Sequence, residues 1–215
     1  MKIKICGLSR EEDILCANEI RPDFIGFVFA PKSRRYVSPK QAERLRRLLS
    51  PEIVPVGVFV NEEPELAAEL LNEGVIGMAQ LHGQEDEAYI RRLRALTEKP
   101  LIQAFRIDTR QDAERAECSG ADYILLDHGA GGTGESFDWS LLKDVKRPYF
   151  LAGGLNPDNA ARALQQAKPY ALDVSSGVET GGVKDPEKMR AFVRQVRQAC
   201  GTAASSCGRP VTEQE

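Results

Sequence analysis

Eight short apolar runs, each followed by a stretch of helical character, do most to narrow what this 215-residue chain can fold into. The runs lie at 2–6, 24–29, 54–60, 78–81, 101–106, 123–127, 149–152 and 171–174. Several are apolar almost without interruption, as parallel strands covered by helices must be. Helices are expected at 10–18, 39–49, 63–72, 86–96, 110–117, 139–142, 157–166 and 186–199. Three of them open with proline after a capping residue: Ser38-Pro39, Asn156-Pro157 and Asp185-Pro186. The cap side chain accepts a free amide, and proline lacks the donor that would be orphaned there. In the last helix Met189, Phe192, Val193 and Val196 keep the spacing of one buried stripe.

Eight strand–helix units in about 200 residues fit a single closed (β/α)8 barrel, with a doubly wound open sheet as the competing fold. No composition shift divides the pattern, so one catalytic domain is expected over 1–201. Residues 202–215 are small and polar without periodicity, and an unstructured, dispensable tail is expected there. The formal net charge of -3 hides no strong block of either sign, which argues against a nucleic-acid partner. No run approaches the ~18 apolar residues of a membrane span. Five cysteines, an odd number without CxxC spacing, argue against a disulfide framework or a zinc site and suit a reducing cytoplasm. Monomer and homodimer are both compatible with the sequence.

Active sites of such barrels gather where strands end. Here those ends carry Cys6-Gly7, Lys32-Ser33-Arg34-Arg35, Asn61, His82-Gly83, Arg106, Asp127, Gly153-Gly154 and Ser175-Ser176-Gly177. The glycine-containing loops after the last two strands are the clearest chemical signal. Together they suggest a phosphate held by backbone amides, although one such pair alone could simply end a strand. The other residues have plainer alternatives. Asp127 could cap a loop, Cys6 could be a small buried hydrophobe, and Arg35 could be a solvated charge. His82 could be a rim hydrogen-bonder and His128 a solvent-facing loop residue. On spacing alone the reading stops at an enzyme barrel for a small phosphorylated ligand.

At these residues the chain resembles the phosphoribosylanthranilate isomerase family, from Lys2 to about Cys200. The matching blocks are Lys4-Ile5-Cys6-Gly7-Leu8, Gly26-Phe27-Val28-Phe29, Pro31-Lys32-Ser33-Arg34-Arg35-Tyr36 and Val56-Gly57-Val58-Phe59-Val60-Asn61. They continue with Gln80-Leu81-His82-Gly83, Leu126-Asp127, Thr133-Gly134, Phe137-Asp138-Trp139, Ala152-Gly153-Gly154-Leu155-Asn156-Pro157 and Asp173-Val174-Ser175-Ser176-Gly177-Val178-Glu179. Leu8, where the family more often has isoleucine, touches no expected chemistry. The resemblance implies an Amadori rearrangement in tryptophan biosynthesis, of the aldose–ketose isomerase type, with neither metal nor organic cofactor. It implies Asp127 as general acid, Cys6 as general base and Arg35 as the partner of the anthranilate carboxylate. Gly154, Asn156, Ser176 and Gly177 become the phosphate cradle, with His82 and Asp173 as orienting groups. The related ribosylamine isomerase of histidine biosynthesis usually pairs two aspartates, against which Cys6 speaks. Indole-glycerol-phosphate synthase needs a lysine inside the barrel, and no strand is expected to supply one. A non-catalytic phosphate-metabolite sensor on the same barrel is the alternative from another class.

Overall fold

Alternating side chains along eight parallel strands divide this protein into an inner and an outer core. The structure, a computed structural model, describes residues 1–127 and 138–205. The strands are β1 (Lys2–Cys6), β2 (Phe24–Val28), β3 (Val54–Phe59), β4 (Met78–Leu81), β5 (Leu101–Arg106), β6 (Tyr123–Asp127), β7 (Tyr149–Leu151) and β8 (Ala171–Val174). Each pairs with the next, and β1 also pairs with β8 through Lys4↔Asp173 and Ile5↔Val174. The sheet therefore closes, and the open-sheet alternative is set aside.

Residues at one phase of the two-residue period point inward. Phe24, Val56, Met78, Ile102, Leu125, Phe150 and Ala171 form this inner core. Near its N-terminal end Phe24, Tyr123, Phe150 and Tyr170 pack edge-on or stacked, with ring centroids 5.2–5.8 Å apart. That aromatic plug fills the barrel from below and leaves the C-terminal mouth for polar groups. At the other phase, residues such as Ile3, Ile5, Ile25, Phe27, Leu101, Ile124, Leu126 and Leu172 are buried beneath the helices.

Among the described residues there are seven α-helices: α1 (Glu11–Ile20), α2 (Pro39–Leu48), α3 (Pro64–Asn72), α4 (Glu87–Arg94), α5 (Arg110–Glu117), α6 (Ala160–Ala167) and α7 (Pro186–Ser205). Ser38 caps α2 by accepting from the Gln41 amide, and Asp185 accepts from the Glu187 amide at the start of α7. The helix expected at 139–142 is a 3₁₀ turn, Trp139–Leu142. The helix expected from Pro157 starts later, at Ala160, because Asn156 Oδ1 accepts from the amides of Asp158 and Asn159 and turns the chain first. The last helix passes the expected end at residue 199 and runs through the proposed boundary at Gly201 to Ser205. The rest of the tail, His128, Thr133-Gly134 and Phe137 lie outside the described residues. After β8 comes a hairpin that the strand count did not anticipate, β9 (Glu179–Thr180) against β10 (Val183–Lys184). No described helix is long and apolar enough to cross a membrane.

Candidate active site

The C-terminal strand ends surround a cavity of about 660 Å³. Cys6, Arg35, His82, Asp127, Gly154, Asp173 and Ser176 all line it. Seven of the nine residues singled out from sequence thus come together, although they arise from six different βα units. Asn156 and Gly177 are not part of the wall. Asn156 is engaged in the turn before α6, and its side-chain nitrogen lies 3.5 Å from the Gly154 carbonyl. At Gly177 an added Cβ would collide with the Leu155 carbonyl oxygen, so this glycine lets the loops after β7 and β8 touch each other. Asn61 and Arg106 also stand away from the cavity. Asn61 binds Glu85 and Gln84, and Arg106 pairs with Asp108 in solvent.

Cys6 ends β1 beside Gly26 of β2, its register partner. A Cβ on Gly26 would sit 2.6 Å from the Cys6 sulfur, so the missing side chain is what gives the thiol its space. Two residues earlier on the same inward phase is Lys4, fully buried, with Nζ 2.8 Å from Asp173 Oδ2. This corrects the expectation that no strand would put a lysine inside the barrel. The sign was the period itself: Lys4 shares the phase of Cys6, but it stands in a charged first segment that reads as solvent-facing. Burial alone would push the Lys4 ammonium down from its ordinary 10.5. Asp173, and then Cys6, more than offset this and hold the ammonium charged. Burial pushes the Cys6 thiol above its ordinary 9.0; Lys4 and Lys184 pull against that, while Asp173 adds to it. The second carboxylate oxygen of Asp173, Oδ1, is buried without a partner at the cavity wall.

Arg35 is not a solvated charge. Its Nε and Nη2 grip the two oxygens of Glu179 at 2.6 and 2.9 Å. The same carboxylate takes Arg34 at 2.8 Å and Lys184 at 2.6 Å. Burial would raise Glu179, but hydrogen bonds from Arg35 and Lys184 hold its carboxyl below the usual 4.5. Lys184 is pushed down from 10.5 by burial, with Arg35 adding repulsion. Three cations on one anion thus tie the β2 loop to the β9–β10 hairpin across the mouth. The signal for Glu179 and Lys184 was weak, because both belong to two-residue strands. With two of the five guanidinium donors of Arg35 on Glu179, its Nη1–Nη2 edge is left as the remaining pair of donors.

On the far wall Gln80 Nε2 lies 2.8 Å from His82 Nδ1, and His82 Nε2 lies 3.9 Å from Asp127 Oδ2. Gln80 is almost fully buried, with its Oε1 unpartnered. Gly153 and Gly154, with φ of 89° and 61°, turn the β7 loop toward Ser175 and Ser176, which line the same cavity. The site can therefore offer a carboxyl group, a thiol with nearby cations, a guanidinium edge and backbone donors around one small anionic molecule.

The sequence model of the N-(5′-phosphoribosyl)anthranilate (PRA) isomerase family matches residues 3–195. This chain belongs to that family. The PRA isomerase of Endomicrobium trichonymphae is 46% identical over 200 residues, covering 91% of this chain and 98% of that protein. The crystal structure of phosphoribosyl anthranilate isomerase from Thermotoga maritima has a TM-score of 0.85 at 40% identity, covering 92% of this chain and 99% of its own. A PRA isomerase in complex with reduced 1-(o-carboxyphenylamino)-1-deoxyribulose 5-phosphate has a TM-score of 0.82 at 39% identity, covering 92% and 99%. Membership of the PRA isomerase family makes this chain an isomerase of tryptophan biosynthesis, on a (β/α)8 barrel.

Proposed function

We propose that this chain rearranges N-(5-phosphoribosyl)anthranilate to 1-(o-carboxyphenylamino)-1-deoxyribulose 5-phosphate, with Asp127 as acid and Cys6 as base. The observation that carries the reading is the meeting of Cys6 and Asp127 at one cavity in a chain of the PRA isomerase family. Asp127 gives its proton to the furanose oxygen as the bond from that oxygen to C1 breaks, leaving a protonated Schiff base. Cys6 then takes the proton from C2, and the C–H electron pair moves into the C1–C2 bond to give the enolamine. Tautomerisation of the enolamine yields the ketone. A thiolate is a competent carbon base, and the nearby cations Lys4 and Lys184 offset part of what burial costs it.

The remaining groups orient the ligand. The open edge of Arg35 suits the anthranilate carboxylate, where a planar pair of N–H donors meets two oxygens. The unpartnered Asp173 Oδ1 is placed to accept from a sugar hydroxyl. His82 stands close enough to Asp127 to steady it. Gly154 and Ser176 carry the phosphate contact, and Asn156 and Gly177 serve it by shaping and joining the two loops. All of these residues come from one chain, so the site suits monomer and homodimer alike; the Thermotoga maritima relative is described as dimeric. The unpaired thiols of Cys6, Cys16, Cys118 and Cys200 support a cytoplasmic setting.

The test is to mix the purified protein with phosphoribosylanthranilate and follow loss of the substrate's fluorescence. Rapid loss, saturable in substrate, is expected. A folded protein that binds the substrate without consuming it would turn the barrel into a metabolite-binding module and refute the proposal.

A further inference from the structure

We infer that Lys4 is a positioning residue for the reaction: held in place by Asp173, its buried ammonium is the countercharge that favours the Cys6 thiolate in a site whose burial opposes it. The inference rests on the reading of Cys6 as the general base and adds what makes that base available. Lys4 itself exchanges no proton. It stays protonated while the thiolate takes the C2 proton and becomes a thiol.

The argument starts from where Lys4 lies. It shares the inward phase with an apolar inner core that includes Phe24, Val56, Ile102, Leu125 and Phe150, and its register partners are Phe24 and Asp173. A lysine and an aspartate inserted there are a costly way to fill space, because desolvation consumes most of what the pair gains. The pair therefore calls for an explanation other than packing. Lys4 and Cys6 are two residues apart on one face of β1, about 6.6 Å along the strand. A lysine side chain spans that rise, and the Cys6 sulfur is the second group, after Asp173, whose negative charge stabilises the ammonium.

The other charged groups around the thiol are less able to do this. Lys184, from β10, is held by Glu179 and by the Ser175 carbonyl. Arg35, from the β2 loop, has its Nε–Nη2 edge on the same Glu179. Asp173, from β8, opposes ionisation of Cys6, and Asp127 and His82 belong to strand ends farther round the barrel. Among the charges acting on Cys6, Lys4 is the strongest that favours its ionisation. Without Lys4, the thiol would face both its burial and the Asp173 carboxylate.

Only the thiolate reacts with iodoacetamide, so the rate of Cys6 alkylation against pH reports its ionisation without any turnover. Cys6 is read by mass spectrometry of its own tryptic peptide in the substrate-free protein. In Lys4→Met, folded by circular dichroism, the alkylation midpoint is expected to rise by one pH unit or more. Turnover near neutrality should fall at least ten-fold, with KM little changed, and should partly recover as the pH is raised. An unchanged midpoint overturns the inference.

If Lys4→Met does not fold, Lys4→Met/Asp173→Asn removes the stranded carboxylate charge. Its midpoint should still exceed that of the unmutated protein, since Lys4 outweighs Asp173 at the thiol. A midpoint at or below the unmutated value overturns the inference. Turnover of Cys6→Ser separates the two ideas. If it is lost while the Lys4→Met midpoint stays put, Cys6 remains the base and only Lys4 fails. Normal turnover of Cys6→Ser overturns both.

Discussion

Cys6→Ser keeps the shape of the side chain and replaces a thiol by a hydroxyl far harder to ionise. Asp127→Asn keeps hydrogen bonding and has no acidic proton to deliver. Each change should lower turnover by the ~10²–10⁴-fold typical of a lost acid or base, with much smaller effects on binding of a product analogue. Substrate deuterated at C2 should show a larger isotope effect in Cys6→Ser, where proton abstraction becomes limiting, than in Asp127→Asn, where ring opening does. Near-normal turnover in either variant removes that residue from the mechanism. Arg35→Met should weaken a carboxylate-bearing analogue by about 1.5–3 kcal/mol relative to one without the carboxylate. A selective effect in Arg34→Met instead would shift that role by one residue. At this scale the sequence was readable where polar side chains end apolar strands, as with Cys6, Asp127 and His82, which the fold brings to one cavity. It was opaque where a charge needs a distant partner to make sense. Lys4 becomes explicable beside Asp173, 169 residues later, and Arg35 beside Glu179, 144 residues later.

The loops after β7 and β8 show the same contrast among elements. Their glycines were legible as a pair, because backbone that must be closely approached excludes side chains. Which glycine lines the cavity and which faces the other loop was not legible, since both needs select the same residue. Gly177 is pressed against the Leu155 carbonyl, so the effect of enlarging it begins before any ligand arrives. Gly177→Val should drive the two loops apart, lowering Tm by several degrees and weakening a phosphorylated product analogue. A dephosphorylated analogue should lose less. Calorimetric melts and titrations with both analogues check this, and an unchanged Tm would mean that the loops part without cost. Local rules served well at the capped starts of α2 and α7. They failed before α6 because an Asx turn satisfies the same asparagine–proline signal as a helix cap. The β9–β10 hairpin escaped notice because two-residue strands have no period to read.

Counting strands favoured a closed barrel over an open sheet, and the β1–β8 pairing closes it, but what fastens its mouth is a charge cluster that no count reveals. Glu179 joins the β2 loop to the hairpin after β8 through Arg34, Arg35 and Lys184. These loops are 144 residues apart in sequence, so the cluster acts on the fold as a whole. Against its burial, Arg35 and Lys184 hold the Glu179 carboxyl below its ordinary 4.5. The unfolded chain takes up a proton there more readily than the folded one. Stability from this cluster is therefore fully present above pH 4.5 and is lost as the pH falls through the lower folded value. Glu179→Gln removes the anion at every pH and leaves Lys184, almost fully buried, beside a neutral amide. Breaking such a pair costs about 3–5 kcal/mol, so the variant should melt well below the unmutated protein at pH 7. Below pH 4.5 the two melting curves should converge, because the unmutated protein then loses what the variant never had. Melts by circular dichroism at pH 7 and at successive steps below 4.5 check the prediction. A gap in Tm that stays constant into the acid range would show that Glu179 stabilises the mouth by packing and not by charge.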